Sequence, residues 1–242
     1  MEIAQIEESL KEKTIEKKDL VVIEEMLQNA LMYGHKRTRT NPRFKSFVFA
    51  NRNNVEIIDL TLTLKKLEEA VEFLKNKLKE KAIVLVVAVQ PAAREAVEKI
   101  TKELDFCYIN SRWIGGLLTN FSILSKRIEY LKKLQIDLEK GEFDKYTKKE
   151  RLMITRKIAK MKELFDGLEN LTRKPDAMII IDPSLKGHQT AIREARQLSI
   201  PVVAILDSDD NPEEITYPIP ANDHAKISID WLVNKIIEKV KA

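Results

Sequence analysis

The stretch AIVLVVAV, residues 82–89, decides the fold, because an uninterrupted apolar run rich in valine is typical of a fully buried strand. Three more short apolar runs follow: FCYI at 106–109, AMIIID at 177–182 and VVAILD at 202–207. Amphipathic helical stretches lie between and after the four runs, at about 63–80, 91–104, 184–198 and 222–241. This alternation predicts an α/β fold, a three-layer sandwich around a mainly parallel, flavodoxin-like sheet. Ahead of it, residues 44–60 predict two short strands joined by a polar turn at 51–54.

Residues 119–174 interrupt the alternation, because they lack a strand signal and show two apolar heptad patterns. The predicted seam residues are Phe121, Leu124, Ile128, Leu131, Gln135 and Leu138 in the first helix, and Ile154, Ile158, Met161, Phe165 and Leu168 in the second. Thr147 and Glu150 form a capping-box signature at the start of the second helix. We expect an inserted coiled-coil hairpin, projecting about 30 Å, whose two helices pack mainly on each other and only weakly on the sandwich.

Charge is distributed unevenly along the chain. The formal net charge is −4 in residues 1–25, +6 in 26–118, +6 in 119–174 and −4 in 175–242. A basic middle between acidic ends favours a polyanionic partner. We divide the chain into an acidic N-terminal extension at 1–17, a sandwich formed by 18–118 and 175–242, and a coiled-coil arm at 119–174. No apolar run is long enough to span a bilayer, so we expect a cytoplasmic protein without a membrane partner.

Residues 34–45 read GHKRTRTNPRFK and contain five lysines and arginines but no acidic residue. The Asn41-Pro42 pair excludes a continuous helix, and Thr38 and Thr40 favour turns or extended backbone. We therefore expect an irregular loop whose cations face an anion outside the chain.

Features that would indicate catalysis are scarce in the sequence. The six glycines form neither a dinucleotide-binding nor a Walker-type loop, and the three histidines have no metal-ligand spacing with other residues. Asp182 and Asp207 each end a predicted parallel strand, where ligands of open α/β sheets usually bind, so together they could hold a divalent cation. We favour helix capping and loop solvation as their roles. The sequence therefore predicts no cofactor, no metal and no enzymatic activity.

Several unrelated strings occur in a fixed order along the chain: YGH at 33–35, NP at 41–42, FVF at 47–49, IIDL at 57–60, NSRWIGGLLTN at 110–120, FDKYTKKE at 143–150, PDA at 175–177, IPV at 200–202 and PAND at 220–223. Together they resemble the bacterial small-subunit ribosomal proteins of the S2 family, over about residues 20–240. The string at 110–120 closely matches the most distinctive motif of that family.

The resemblance implies an α/β sandwich with a coiled-coil insertion that is placed on the small ribosomal subunit and bound to ribosomal RNA. Three departures from the family pattern stand out. Val89-Gln90-Pro91 replaces a turn in which the family commonly has a glycine and basic residues, and Arg94 is the nearest cation left. Acidic residues extend beyond the usual start, and no long tail follows Ala242.

The sequence leaves two functions open. The first is a structural ribosomal protein that contacts RNA and neighbouring small-subunit proteins, without forming a homo-oligomer. The second is a doubly wound domain that binds a nucleotide or phosphorylated metabolite with a metal at Asp182 and Asp207. The candidate RNA-binding residues are His35, Lys36, Arg37, Arg39, Arg43, Lys45, Arg52, Arg112, Lys148, Lys149 and Arg151.

Some of these residues have a competing structural interpretation. His35 suits a packed, hydrogen-bonded turn as well as an RNA contact. For Trp113, beside Arg112, we favour anchoring the base of the arm in the core over stacking on RNA. Lys148, Lys149 and Arg151 oppose the dipole of the second arm helix, which an outside anion would relieve, although a merely solvated tip would also place them there.

Overall fold

The computed structural model describes residues 17–241, with side chains from residue 19 onward. The helices are α1 (Lys17–Gln28), α2 (Leu60–Lys79), α3 (Arg94–Leu104), α4 (Phe121–Glu139), α5 (Lys148–Phe165), α6 (Lys186–Gln197) and α7 (Lys226–Lys241). The strands are β1 (Tyr33–Lys36), β2 (Val48–Arg52), β3 (Val55–Ile58), β4 (Val84–Val87), β5 (Cys107–Ile109), β6 (Ala177–Ile181), β7 (Val202–Leu206) and β8 (Tyr217–Pro220). Short 3-10 helices cover Pro42–Phe47, Pro91–Ala93, Asp166–Leu168 and Pro212–Glu214. Apart from Lys17, the predicted acidic extension at 1–17 lies outside the described residues.

Five parallel strands form the central sheet in the order β5-β4-β6-β7-β8. Counted along the chain from β4, this order is 2-1-3-4-5, the strand order of flavodoxin-like sheets. Each of the four predicted apolar runs supplies one strand of this sheet. The predicted α/β class and the parallel, flavodoxin-like sheet are therefore confirmed.

Helices cover both faces of the sheet. Successive side chains of a strand point in opposite directions, so a strand made only of apolar residues places apolar side chains on both faces. Val84 and Val86 belong to a buried cluster with α1, α2, α3 and α7. Leu85 and Val87 belong to a second buried cluster with α6 and parts of α4 and α5. These two apolar clusters hold the three layers of the sandwich together.

A smaller antiparallel sheet, in the order β1-β3-β2, precedes the central one. The predicted hairpin is confirmed, and its turn contains Asn53 and Asn54 in left-handed backbone with φ of 49° and 62°. Two strands were not predicted. Strand β1 carries no apolar run, and β8 contains two prolines, which an edge strand of a sheet tolerates.

Helices α4 and α5 form the predicted inserted pair. The capping box is confirmed, because Thr147 accepts from the Glu150 N–H while the Glu150 carboxylate accepts from the Thr147 N–H. The seam of α4 is wrong at its far end, where Leu134 is buried and the predicted Leu138 is 43% exposed. A coiled-coil geometry for the pair remains a prediction.

The base of the arm is part of the core of the sandwich, contrary to the expectation that the arm packs only weakly on it. Leu131, Phe165 and Leu168 share one buried cluster with side chains of the central sheet. Gly167 lies against edge strand β5, where a Cβ atom at this position would be only 2.3 Å from the carbonyl oxygen of Tyr108. The sequence pattern could not reveal this contact, because heptads report which side of a helix is apolar but not what that side covers.

Candidate nucleic-acid interface

The basic segment 34–45 is more ordered than the irregular loop expected from the sequence. It starts within β1 and ends within the 3-10 helix Pro42–Phe47, which buries Phe44 and is capped by Asn41. Between these elements the chain makes a turn in which the Arg39 N–H donates to the Lys36 carbonyl at 2.8 Å. The five cations of the segment are therefore displayed from a defined backbone.

Ser208, directly after Asp207 at the end of β7, fixes the backbone of this segment. Its hydroxyl oxygen accepts a hydrogen bond from the His35 N–H at 2.7 Å, and its carbonyl accepts from the Asn41 N–H at 2.8 Å. Gly34 permits the close approach, because a Cβ atom there would lie 2.9 Å from the Ser208 hydroxyl oxygen. The basic segment is thus attached to the carboxyl end of the central sheet.

The cations of the segment differ in their surroundings. Lys36, Arg37, Arg39 and Lys45 are exposed, and among the described residues none of the four forms an ion pair. The Arg43 Nε lies 3.1 Å from a Glu213 carboxylate oxygen, in an exposed ion pair that contributes little stability. Arg52, on β2, is only half exposed. Four of the predicted contact residues are therefore exposed and carry a positive charge that no described residue neutralises in an ion pair.

His35 is turned inward, away from the exposed cations. Its Nδ1 lies 2.8 Å from an Asp207 carboxylate oxygen, and its ring makes an edge-on contact with the ring of His224 at 4.8 Å between centroids. The side chain is only 15% exposed. This is the packed, hydrogen-bonded position that the sequence left open as the alternative for His35.

A second group of cations lies in a cleft between the carboxyl end of β4 and the arm. Arg94 and Arg112 line this cavity of about 760 Å³ together with Lys160 and Lys162. Glu163 and Asp166 also line it, so positive charge is in excess. The sequence pointed only to Arg112, because residues from α3, the 110–120 motif and α5 come together only in the folded chain. For Lys160 and Lys162, the only signal in the sequence was the +6 charge of residues 119–174.

At the far end of the arm, Lys148 and Lys149 are exposed in the first turn of α5. The Arg151 guanidinium lies 3.2 Å from an Asp144 carboxylate oxygen, and both side chains are exposed. The Glu150 carboxylate already occupies the helix N-terminus, because it accepts from the Thr147 N–H and hydroxyl. These bonds lower the pKa of Glu150. The two lysines remain candidates for an RNA contact.

Trp113 is buried, lies against helix α6 and belongs to one apolar cluster with residues of the arm. Its indole Nε1 donates a hydrogen bond to the Glu194 carboxylate at 3.1 Å. The prediction that Trp113 anchors the base of the arm in the core is confirmed. Its neighbour Arg112 is exposed and faces the basic cleft.

Asp182 and Asp207 do come together, but the capping and solvation roles favoured from the sequence do not describe them. Both side chains are buried. One Asp182 oxygen accepts from the Ser184 N–H in the turn before α6, whereas α6 itself begins at Lys186 without a side-chain cap. Asp207 accepts from the Ser208 N–H and contacts His35 rather than solvent.

Three further aspartates surround this pair, although the sequence analysis did not group them with it. Asp209 and Asp210 lie in the β7–β8 connection, and Asp223 precedes α7. Burial and then repulsion from the neighbouring carboxylates raise the pKa of Asp223 well above its usual range. Burial likewise raises the pKa of Asp210, to about 8, despite a hydrogen bond from the Asp207 N–H. The carboxyl end of the sheet thus contains a concentrated, buried acidic cluster beneath the basic segment.

The parallel α/β sandwich, its helical insertion and its exposed cations define an α/β protein of a class suited to bind a polyanion. The family described as Ribosomal protein S2 matches residues 26–242. The chain belongs to this family, and the resemblance seen in its motifs is confirmed.

Relatives in several bacteria support the same assignment. The chain is 40% identical to the small ribosomal subunit protein uS2 of Dictyoglomus turgidum over 220 residues, which cover 91% of this chain and 89% of that protein. It is 39% identical to the protein of the same name from Dictyoglomus thermophilum, with the same coverage. The uS2 protein of Acidothermus cellulolyticus is 40% identical over 222 residues, covering 91% of this chain and 80% of that protein.

Proposed function

We propose that this chain is a structural component of the small ribosomal subunit that binds ribosomal RNA and supports translation. One observation carries the RNA contact: Lys36, Arg37, Arg39 and Lys45 are exposed and form no ion pair with another described residue, on a backbone held by Ser208. Free cations on a fixed segment can neutralise phosphates without first breaking internal ion pairs.

The arginines of the basic segment are the more specific contacts within this proposal. A planar guanidinium binds two phosphate oxygens at once and can stack on an unpaired base, which an ammonium group cannot do. Arg112, with Arg94, Lys160 and Lys162 in the basic cleft, supplies a second place for the RNA backbone. Lys148, Lys149 and Arg151 at the end of the arm supply a third.

The sandwich and the arm have different roles in this proposal. Residues 18–118 and 175–242 form the sandwich that carries the basic segment, and residues 119–174 form the arm that extends the RNA-facing surface. Neighbouring small-subunit proteins are the other partners, and the chain acts as a single copy on the cytoplasmic ribosome. Within the described residues, no helix combines the length and the apolar character needed to cross a bilayer.

The alternative, a domain that binds a nucleotide or phosphorylated metabolite, is not supported by the comparisons, since the matching family and the three relatives described above are named as ribosomal proteins. No enzymatic activity is proposed for the chain.

The experiment is a titration of purified protein with a structured fragment of small-subunit ribosomal RNA at several salt concentrations. Binding that releases counterions makes log K fall linearly with log salt concentration. Changing Arg37, Arg39 and Arg43 together to Ala should weaken binding and reduce that slope by up to about 3, roughly one per lost phosphate contact. An unchanged slope would exclude the segment from the interface.

A matched control removes the same charge from the opposite helical layer. Lys65, Lys99 and Lys102 are exposed on α2 and α3, which cover the other face of the sheet from the arm. Their joint replacement by Ala should change the slope much less than the arginine replacement. Equal effects of the two triple variants would show that only the net charge matters.

A further inference from the structure

The basic cleft between the carboxyl end of β4 and the arm is a concave site and not a flat charged surface. Its volume is about 760 Å³, within the range of about 300 to 1,000 Å³ that is usual for small-molecule sites. A phosphate on the outside of a double helix needs only an exposed cation, such as those of the basic segment. A cleft of this size has room for a whole nucleotide.

Two uncharged hydrogen-bonding side chains line the cleft beside its cations. Asn110 and Ser111 directly follow β5, and both are half-buried. Neither side chain forms a hydrogen bond with another described residue. An amide and a hydroxyl can each donate and accept hydrogen bonds, which suits the mixed donors and acceptors on the edge of a base. A phosphate offers acceptors only, so it would leave the amide oxygen unused.

The other walls of the cleft supply positive charge and apolar surface. Arg94, Arg112 and Lys160 are exposed and form no ion pair with another described residue. Val89 and Leu164 are half-buried apolar residues of the same cleft. An unpaired base has apolar faces as well as a polar edge, and it stacks on planar guanidinium groups. The lining therefore matches each part of a nucleotide: the phosphate, the faces of the base and its edge.

The 110–120 loop, which carries Arg112 and both uncharged side chains, is held in place from inside the protein. The buried Glu194 carboxylate accepts hydrogen bonds from N–H groups of this loop, including those of Gly116 at 2.8 Å and Leu118 at 3.1 Å. A loop that is fixed before binding loses less conformational entropy when its ligand arrives. The cleft is thus largely preformed.

We propose that the basic cleft binds an unpaired nucleotide of the RNA, in a bulge or a loop, and not the backbone of a continuous duplex. The phosphate of this nucleotide contacts Arg94 and Lys160. Its base contacts Arg112, Asn110 and Ser111. This inference rests on the proposed function, because it specifies which part of the RNA enters the cleft. The basic segment binds phosphates whether or not the bases are paired, whereas the cleft distinguishes unpaired from paired RNA.

The test uses the full chain and two RNA hairpins with the same stem, one fully paired and one with a single bulged adenosine. Fluorescence anisotropy of end-labelled RNA measures both affinities over a range of salt concentrations. We expect the bulged hairpin to bind at least about fivefold more tightly, which is the lower end of what one stacked base contributes.

Two substitutions keep the charge of the cleft and change its contacts with the base. Asn110→Ala removes the amide, and Arg112→Lys keeps the positive charge but replaces the planar guanidinium by an ammonium group. Each should reduce the preference for the bulged hairpin at least about twofold. The slope of log K against log salt concentration should stay the same, because no charge is lost.

Asn76→Ala and Arg196→Lys are the matched controls. Asn76 is on α2 and Arg196 is in the last turn of α6, both are exposed, and neither lines the cleft. Both variants should retain the full preference for the bulged hairpin. Circular dichroism shows whether each variant is folded, and Ser111→Ala replaces Asn110→Ala if that variant does not fold.

The outcomes separate this inference from the proposed function. Equal affinities of the unchanged chain for the two hairpins would overturn the inference and leave the proposed function standing. The same follows if the folded cleft variants keep the preference as fully as the controls do. If neither hairpin binds even at low salt, the proposed function is wrong and the inference is wrong with it.

Discussion

Glu194 accepts a hydrogen bond from the indole Nε1 of Trp113 at 3.1 Å, and both side chains are buried. The same Glu194 oxygen accepts from the Gly116 N–H at 2.8 Å. Its other oxygen accepts from the Leu118 N–H at 3.1 Å and from the Thr119 N–H at 3.2 Å. One carboxylate on α6 therefore organises the loop of the most distinctive sequence motif, 110–120, through side-chain and backbone donors.

The first prediction concerns this carboxylate. In Glu194→Gln one oxygen becomes an NH₂ group, which would face N–H donors and leave at least one buried donor without a partner. The free energy of unfolding should fall by about 2 kcal/mol or more. Urea unfolding measures the change, and Glu98→Gln, at an exposed position on α3, serves as the control with little expected effect.

The second prediction is the pH dependence of that contribution. Burial raises the pKa of Glu194, but the hydrogen bonds from Gly116, Trp113, Thr119 and Leu118 outweigh burial and lower it below 4.5. A carboxyl whose folded pKa is depressed stabilises the protein above the unfolded pKa, and this stability is lost as pH falls through the folded value. The difference in unfolding free energy between the unchanged chain and Glu194→Gln should therefore be large at pH 7 and shrink below about pH 4.5. A difference that grows on acidification would contradict this account.

The third prediction tests the contact between the arm and edge strand β5. An alanine Cβ at position 167 would lie 2.3 Å from the Tyr108 carbonyl oxygen and 2.6 Å from its ring, so the backbone has to move. Gly167→Ala should destabilise the protein by about 1 to 3 kcal/mol. Gly115→Ala is the matched control, because a Cβ atom there meets nothing within 4 Å. Similar losses in the two variants would show that the close approach of Gly167 to β5 is not important for stability.

The central sheet could be predicted from sequence because a strand buried on both faces needs a continuous run of apolar residues, as in 82–89 and 177–182. Strands β1 and β8 could not. Strand β1, YGHK, is held by pairing with β3, and β8, YPIP, by pairing with β7 at the sheet edge, so both depend on neighbours more than on their own composition.

The candidate sites also differ in how far they could be predicted from the sequence. The basic segment could be recognised because its five charges lie within twelve residues of sequence. The basic cleft joins Arg94, Arg112 and Lys160, and the acidic cluster joins Asp182 to Asp223. Such groupings are created by the fold, so the sequence could suggest only Asp182 and Asp207, which end strands that the topology makes neighbours.

The last prediction concerns the arm. From the heptads alone, replacing residues 122–168 by a short Gly-Ser linker should leave the sandwich folded. The structure predicts the opposite, because the replacement removes Leu131, Phe165 and Leu168 from the buried cluster that they share with the sheet. The replacement would expose the apolar side chains of the sheet that belong to the same cluster. This exposure should lower the unfolding temperature markedly or prevent folding.

A pair of single substitutions separates core packing from loss of the whole arm. Leu131 is fully buried and Leu138 is 43% exposed on the same helix. Leu131→Ala should therefore cost about 2 to 5 kcal/mol, whereas Leu138→Ala should cost much less. Urea unfolding of both variants, beside thermal unfolding of the 122–168 replacement, measures how far the arm belongs to the core. If Leu131→Ala is as mild as Leu138→Ala and the shortened chain unfolds at the original temperature, the arm is an independent hairpin after all.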